Sequence, residues 1–221
     1  NKMELTKEQV RQVEGYLQKK NFNYIDLKEE VLDHVISDIE RITTKGISFE
    51  NAFKMVALKW ESHFKEASSL YFGIQYAQSK IVLEKAVKMF RPFFFVYLSA
   101  YFLPVLIVKN FPIVFSEKTI DFLNLLFNSI ASLSLIYFIF MIVRGVTSKV
   151  KTTYRFILKT QYLAIIFLII PLLSGSHFND EGNLNAVFTG FLFAGLSVTY
   201  TCHYFHRKHN ETVRSYQKCK L

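Results

Sequence analysis

The sequence predicts an all-α polytopic membrane protein: four transmembrane helices behind an N-terminal cytoplasmic three-helix headpiece. Three observations predict it. Four long stretches lack every Asp, Glu, Lys and Arg: 92–108, 122–143, 160–179 and 182–206. Basic residues gather in alternate connections between them. The first 70 residues instead repeat apolar side chains at helical spacing between recognisable helix caps.

Composition supports this division. Hydrophobic residues make up 51% of the 221 and charged residues 20%, which argues against disorder. Eight Gly and four Pro exclude collagen-like or low-complexity architecture, and two Cys exclude a disulfide scaffold. The net charge of +9 is unevenly placed. Residues 1–88 are nearly balanced, whereas residues 89–221 carry 13 Lys/Arg against five Asp/Glu.

In the headpiece, residues 1–70, Thr6 and Gln9 fit a capping box, with Leu5 and Val10 placed as a hydrophobic staple. Val10, Val13 and Leu17 give the first helix its apolar face. Asn21–Tyr24 is a connector, and Asp26 with Glu29 is expected to start the second helix. Leu27, Val31, Leu32, Val35, Ile39 and Ile42 form its stripe. Gly46 stops it, since glycine adopts the left-handed conformation cheaply. Ser48 caps a third helix carrying Phe49, Phe53, Val56, Ala57 and Trp60. Residues 71–91 read as a helical linker or interfacial helix, with Gly73 its single breaker and Pro92 a helix start or kink.

A bilayer core needs about 20 mostly apolar helical residues, which each uncharged stretch of 92–206 satisfies. Pro104 and Pro171 are expected to kink the first and third spans. Lys85, Lys88 and Arg91 precede the first span. Arg144, Lys149, Lys151, Arg155 and Lys159 lie between the second and third, and residues 207–221 form a basic tail. By the positive-inside rule both termini are cytoplasmic. Topology and lipid headgroups then explain the basic excess without nucleic acid. The first 80 residues hold no early apolar core of a secretory signal, so the first span is expected to direct insertion. Cys202 and Cys219 fall on the cytoplasmic side, where reduced thiols are expected.

Tyr16-Leu17, Leu32-Asp33-His34 with Glu40, and Gly46-Ile47-Ser48 with Ala52 follow one another through the headpiece. This order resembles the HAAS-type signalling domain found before membrane helices in bacterial proteins. Lys59-Trp60 stands where that family has a Gly-Asp-Pro-like ending. The resemblance implies a cytoplasmic regulatory module, a bacterial cytoplasmic membrane, and an association with a PadR-type transcription regulator.

Four groups of residues are candidates for function. Glu30, Asp33, His34 and Asp38 lie on the polar side of the second headpiece helix and are expected to face a protein partner. Asp121, Asn124, Asn128 and Ser132 recur within a narrow helical arc of the second span. This intramembrane polar stripe either bonds neighbouring helices or lines a path. Ala186, Gly190 and Ala194 make a small-residue packing seam, for another helix or for a second copy in a homo-oligomer. His203 and His206 beside Cys202 are the alternative metal ligands, although the favoured reading has no metal and no cofactor.

Glycine-rich phosphate loops, His-Glu-x-x-His and Cys-x-x-Cys are missing from the sequence. The expectation is a non-enzymatic regulatory or scaffold subunit in the bilayer, engaging its partner through the headpiece or within a membrane complex. The alternative is a small transporter or channel-like subunit using the polar stripe. A third reading is a lipid-acting enzyme built on the inner histidines.

Overall fold

The computed structural model describes residues 4–20 and 22–218. Asn21 and Cys219 lie outside the described residues. The chain is mostly helical: α1 (Lys7–Lys19), α2 (Ile25–Thr43), α3 (Phe49–Phe64), α4 (Lys80–Asn110), α5 (Glu117–Thr147), α6 (Thr153–Thr160), α7 (Ile166–Ser174) and α8 (Ala186–Lys218). The all-α class therefore holds, with one small hairpin added: β1 (Glu66–Ser69) and β2 (Gly73–Ser79). Two compact units emerge. One runs to Lys88 and takes in Lys149–Thr153 and the segment from His209. The other comprises Met89–Ser148 and Tyr154–Lys208.

The first unit closes around α1–α3. Thr6 and Gln9 form the reciprocal capping box, Gln9 N–H donating to Thr6 Oγ1 at 3.3 Å and Thr6 N–H to Gln9 Oε1 at 2.9 Å. Val13, Leu17, Leu27, Val31, Val35, Ile39, Val56 and Trp60 are buried, as the helical spacing predicts, while Val10, Leu32, Ile42, Phe53 and Ala57 are half-buried and Ala52, outside the expected stripe, is buried. Gly46 has φ +84°, which ends the α2 segment without the penalty a Cβ would bring. Two caps differ from expectation. Tyr24, not Asp26, occupies the position before α2, and the Asp26 carboxylate is used elsewhere. Ser48 precedes α3, but its side chain makes no capping bond.

The helix expected over residues 71–91 begins only at Lys80. Before it, β1 and β2 pair antiparallel, with Glu66 opposite Ser79 and a bulge between Ala67 and Ser69. Gly73, at φ +88°, closes the turn. The alternation of Ile74 and Tyr76 with Gln75 and Ala77 suits a strand at least as well as a helix turn. Once started, α4 continues through Pro92 and Pro104 without a break.

In the second unit, α4, α5 and α8 are each long and apolar enough to cross a membrane. The third predicted span is not one straight helix. α6 and the stretch from Tyr162 to Ser174, which opens with a 3₁₀ turn at Tyr162–Ile165, bend by 44° and make a fourth crossing only if counted together. The break falls at Thr160-Gln161, not at Pro171. Thr160 Oγ1 donates to the Ile157 carbonyl at 2.6 Å, and Gln161 Nε2 donates to Thr160 Oγ1 at 2.9 Å. Polar side chains thus enter the helical ladder where the backbone turns. Pro171 stays inside α7, which ends at Gly175, φ +71°. Phe138, Met141, Leu158, Leu168, Val198 and Cys202 form the core of this unit.

Candidate functional site

The acidic face of α2 divides into used and exposed residues. Asp38 is the most engaged. Its Oδ2 accepts Lys59 Nζ at 2.7 Å and Trp60 Nε1 at 3.1 Å, and its Oδ1 accepts Arg41 Nη2 at 2.8 Å. Burial by itself would push this carboxyl up. The bonds from Lys59 and Trp60, with the charges of Lys59 and Arg41, outweigh it and hold Asp38 below the usual carboxylate range. Asp38 is thus an internal tie between α2 and α3. Glu30 accepts Lys85 Nζ at 2.9 Å, and that bond and charge hold it low. Asp33 and His34 are exposed on the same helix.

A second feature of this unit was not foreseen. Ile25 N–H donates to the Lys151 carbonyl at 3.1 Å, and Tyr24 pairs with Lys151 in a parallel bridge. Both Asp26 carboxylate oxygens accept the N–H of Thr153, at 3.0 and 3.1 Å. Thr152 Oγ1 lies 2.8 Å from His209 Nδ1, and both residues are buried. The short segment between α5 and α6 is therefore held by the start of α2. The Asp26–Thr153 partners are 127 residues apart. No local sequence signal marks such a pair, and Asp26 reads equally well as a helix-start residue.

The polar stripe of α5 is occupied by the loop between α7 and α8. Asn124 Oδ1 accepts the His177 N–H at 2.8 Å, and its Nδ2 donates to Ser176 Oγ at 3.3 Å. Asn128 Nδ2 donates to the Gly175 carbonyl at 3.2 Å, and its Oδ1 lies 3.2 Å from His177 Nε2. Both amides are thus used in holding a loop. Asp121 is exposed and Ser132 half-buried. His177 is fully buried beside Phe127, which pushes its imidazole below the ordinary histidine range. His177 Nδ1 has no hydrogen-bond partner among the described residues. Asn185 completes the loop, its Oδ1 capping α8 through the N–H groups of Val187 and Phe188.

The small-residue seam of α8 lies inside the second unit. A Cβ on Gly190 would stand 2.6 Å from Val105 Cγ2 and 3.0 Å from the Tyr101 carbonyl oxygen, so α4 approaches α8 there. Ala194 is buried, and Ala186 opens the helix. Gly195, outside the predicted seam, admits Leu168 of α7 in the same way.

His203 and His206 face α5: Tyr137 Oη is 2.6 Å from His203 Nδ1, and the His206 ring meets Phe140 edge-on. Cys202 is buried in the apolar core. Among the described residues no group of three or more His, Cys, Asp or Glu comes close enough to hold a metal ion. No protein-family model, curated protein or solved structure matches the chain.

Proposed function

We propose that this protein is a non-enzymatic, membrane-anchored regulatory or scaffold subunit whose cytoplasmic headpiece binds a protein partner. In this reading the bent α6–α7 pair is the fourth crossing and both termini are cytoplasmic. The basic residues around Lys85–Arg91, Arg144–Lys159 and the tail support that orientation. The resemblance to HAAS-type signalling domains supports a bacterial cytoplasmic membrane and a regulator as partner.

One observation carries the reading. The unit built from α1–α3 incorporates the Lys149–Thr153 segment through Ile25 and Asp26. A partner that shifts the start of α2 would therefore act directly on the connection between α5 and α6. Such a bond gives the headpiece a physical means of sensing or signalling, which a passive anchor would not need. The partner face consists of Asp33 and His34, with the exposed Glu30 rim beside them. Asp38 is withdrawn from it by its bonds to Lys59 and Trp60.

The test is gentle affinity purification of the full chain from its native membrane, compared with Asp33→Ala/His34→Ala. The expected result is a stoichiometric partner that the double variant loses while its Trp60 emission stays unchanged. A partner retained by the double variant would move the interface elsewhere. The absence of any partner would overturn the reading.

A further inference from the structure

The turn of the β1–β2 hairpin is apolar where a loop in water is polar. Ser69 is paired with Gly73, which leaves Leu70, Tyr71 and Phe72 as the loop. Such turns favour Gly, Asn, Asp, Ser and Pro. Leu70 is fully exposed, and Ile74, just past the turn, is 82% exposed. No large hydrophobic residue of the first unit is more exposed, among the described residues. The loop has a defined conformation all the same. Phe72 N–H donates to the Ser69 carbonyl at 3.1 Å, and Tyr71 N–H donates to Ser69 Oγ at 3.3 Å. Phe72 is buried. At the other end of the hairpin, Tyr24 Oη donates to Gln78 Oε1 at 2.8 Å, and Lys80 N–H donates to the Lys65 carbonyl at 2.9 Å. The base is fixed, and the apolar tip is presented on it.

Residues 67–79 hold no charged side chain. Exposed strands in water are usually blunted by Lys or Pro, and neither stands here. The hairpin runs without a linker into α4, Ser79 being followed by Lys80. That helix is long and apolar enough to cross a membrane. Its first turns carry Lys80, Lys85, Lys88 and Arg91 against the single acid Glu84, the basic flank expected of a span at the headgroups. Pro92, which opens the uncharged stretch, lies roughly 18 Å along α4 from Lys80. The seven residues of β2 extend about 20 Å. The hairpin therefore has the reach of the bilayer interface from its point of attachment.

We propose that the hairpin tip is a membrane wedge: Leu70 and Ile74 insert into the interfacial region of the bilayer that α4 crosses. Removal of two aliphatic side chains from water drives the insertion, and an uncharged hairpin brings no ion to be desolvated. Attachment to α4 makes the step intramolecular, so a small apolar tip suffices. The wedge gives the first unit its own hold on the bilayer, independent of a protein partner. The inference rests on the membrane reading.

The experiment is spin-label accessibility of the full chain in vesicles of dioleoyl phosphatidylcholine and dioleoyl phosphatidylglycerol. A nitroxide is attached at Leu70→Cys or Ile74→Cys in a Cys219→Ser background; Cys202 is buried and stays unlabelled. Leu133→Cys on α5 is the lipid reference and Asp33→Cys on α2 the water reference, both positions being exposed. Unchanged Trp60 emission shows that the first unit is folded in each labelled variant. Collision with oxygen, which concentrates in lipid, is compared with collision with a water-soluble nickel chelate. Both hairpin labels are expected to favour oxygen severalfold over the Asp33 label, as the Leu133 label does. Hairpin labels that match Asp33 would overturn the proposal. Labels shielded from both reagents, or broadened by a label on a second copy, would also overturn it, since protein would then cover the tip. A Leu133 label that itself matched Asp33 would show instead that the membrane reading had failed, and the proposal with it.

Discussion

Asp38→Ala should destabilise the α1–α3 unit by about 1.5–4 kcal/mol, with the indole bond supplying most of it. Asp38 is bound by three donors, but they differ in environment. Lys59 and Arg41 are 56% and 66% exposed, so solvent screens both pairs, and together they contribute about 0–1 kcal/mol. Trp60 is only 8% exposed, and its Nε1–H bonds a charged oxygen at 3.1 Å. Such a bond contributes about 1.5–3 kcal/mol, and its loss leaves a desolvated donor without a partner. Asp38→Asn keeps an acceptor and should cost less, while Arg41→Ala should cost under about 1 kcal/mol. Trp60 is the chain's one tryptophan, so its emission during denaturant unfolding reads this contact directly. The acid limb gives a second check. Because Asp38 is held below its ordinary range in the folded state, its contribution is complete above about pH 4. That contribution is lost as the pH falls through the lowered folded value, and the Asp38→Ala variant should lack this loss. An Arg41→Ala penalty as large as that of Asp38→Ala, or unchanged Trp60 emission in Asp38→Ala, would refute the reasoning.

Gly190→Ala should lower the thermal midpoint of the detergent-solubilised protein, at a cost of about 1–3 kcal/mol, because the new methyl meets Val105 and the Tyr101 backbone. Gly15→Ala should do the opposite in the first unit, stabilising by about 0.5–1 kcal/mol, since nothing lies within 4 Å of its Cβ position in α1. Asp26→Ala leaves the buried Thr153 N–H without its acceptor; hydrogen exchange at Ile25 and Thr153 should quicken together, a cost of about 1–3 kcal/mol. His177, held below its ordinary range by burial, stabilises the α7–α8 loop fully above about pH 6.5. That contribution is lost as the pH falls through its lowered folded value, so protection factors in residues 175–185, taken against the intrinsic exchange rate at each pH, should fall on acidification in the wild type but not in His177→Gln.

The elements legible in the sequence are those whose signal is local. The Thr6–Gln9 capping box, the apolar stripes of α1–α3 and the stop at Gly46 each depend on residues within one or two turns, and each is present. Where the reading failed, two local signals competed. Around Gly73, a stretch free of proline reads as helix, yet the positive φ of that glycine and the alternation after it allow a hairpin. In the third apolar stretch, composition locates the segment but is blind to Thr160 and Gln161 turning their side chains back onto the helix. Proline was the obvious candidate for the bend, and it does not lie there.

The candidate sites divide along the same line, and the division bears on what each can do. Periodicity placed Asn124 and Asn128 on one face of α5 but could not show that His177 and Gly175 would occupy them. Occupied amides in an apolar helix satisfy the demand that buried polar groups be paired, and so account for Asn124 and Asn128. Asp26 shows the converse. Nothing near it in sequence distinguishes it from a helix-start residue, yet it bonds an amide 127 positions away. A helix-start role needs only an acceptor at the right turn of its own helix, and any Asp, Asn or Ser supplies one. Both Asp26 oxygens are instead directed at Thr153, while its own carbonyl accepts Lys85 Nζ at 3.3 Å. The same residue thus ties the start of α2 to α4 and to the α5–α6 segment. Movement at any one of these three places strains the bonds to the other two.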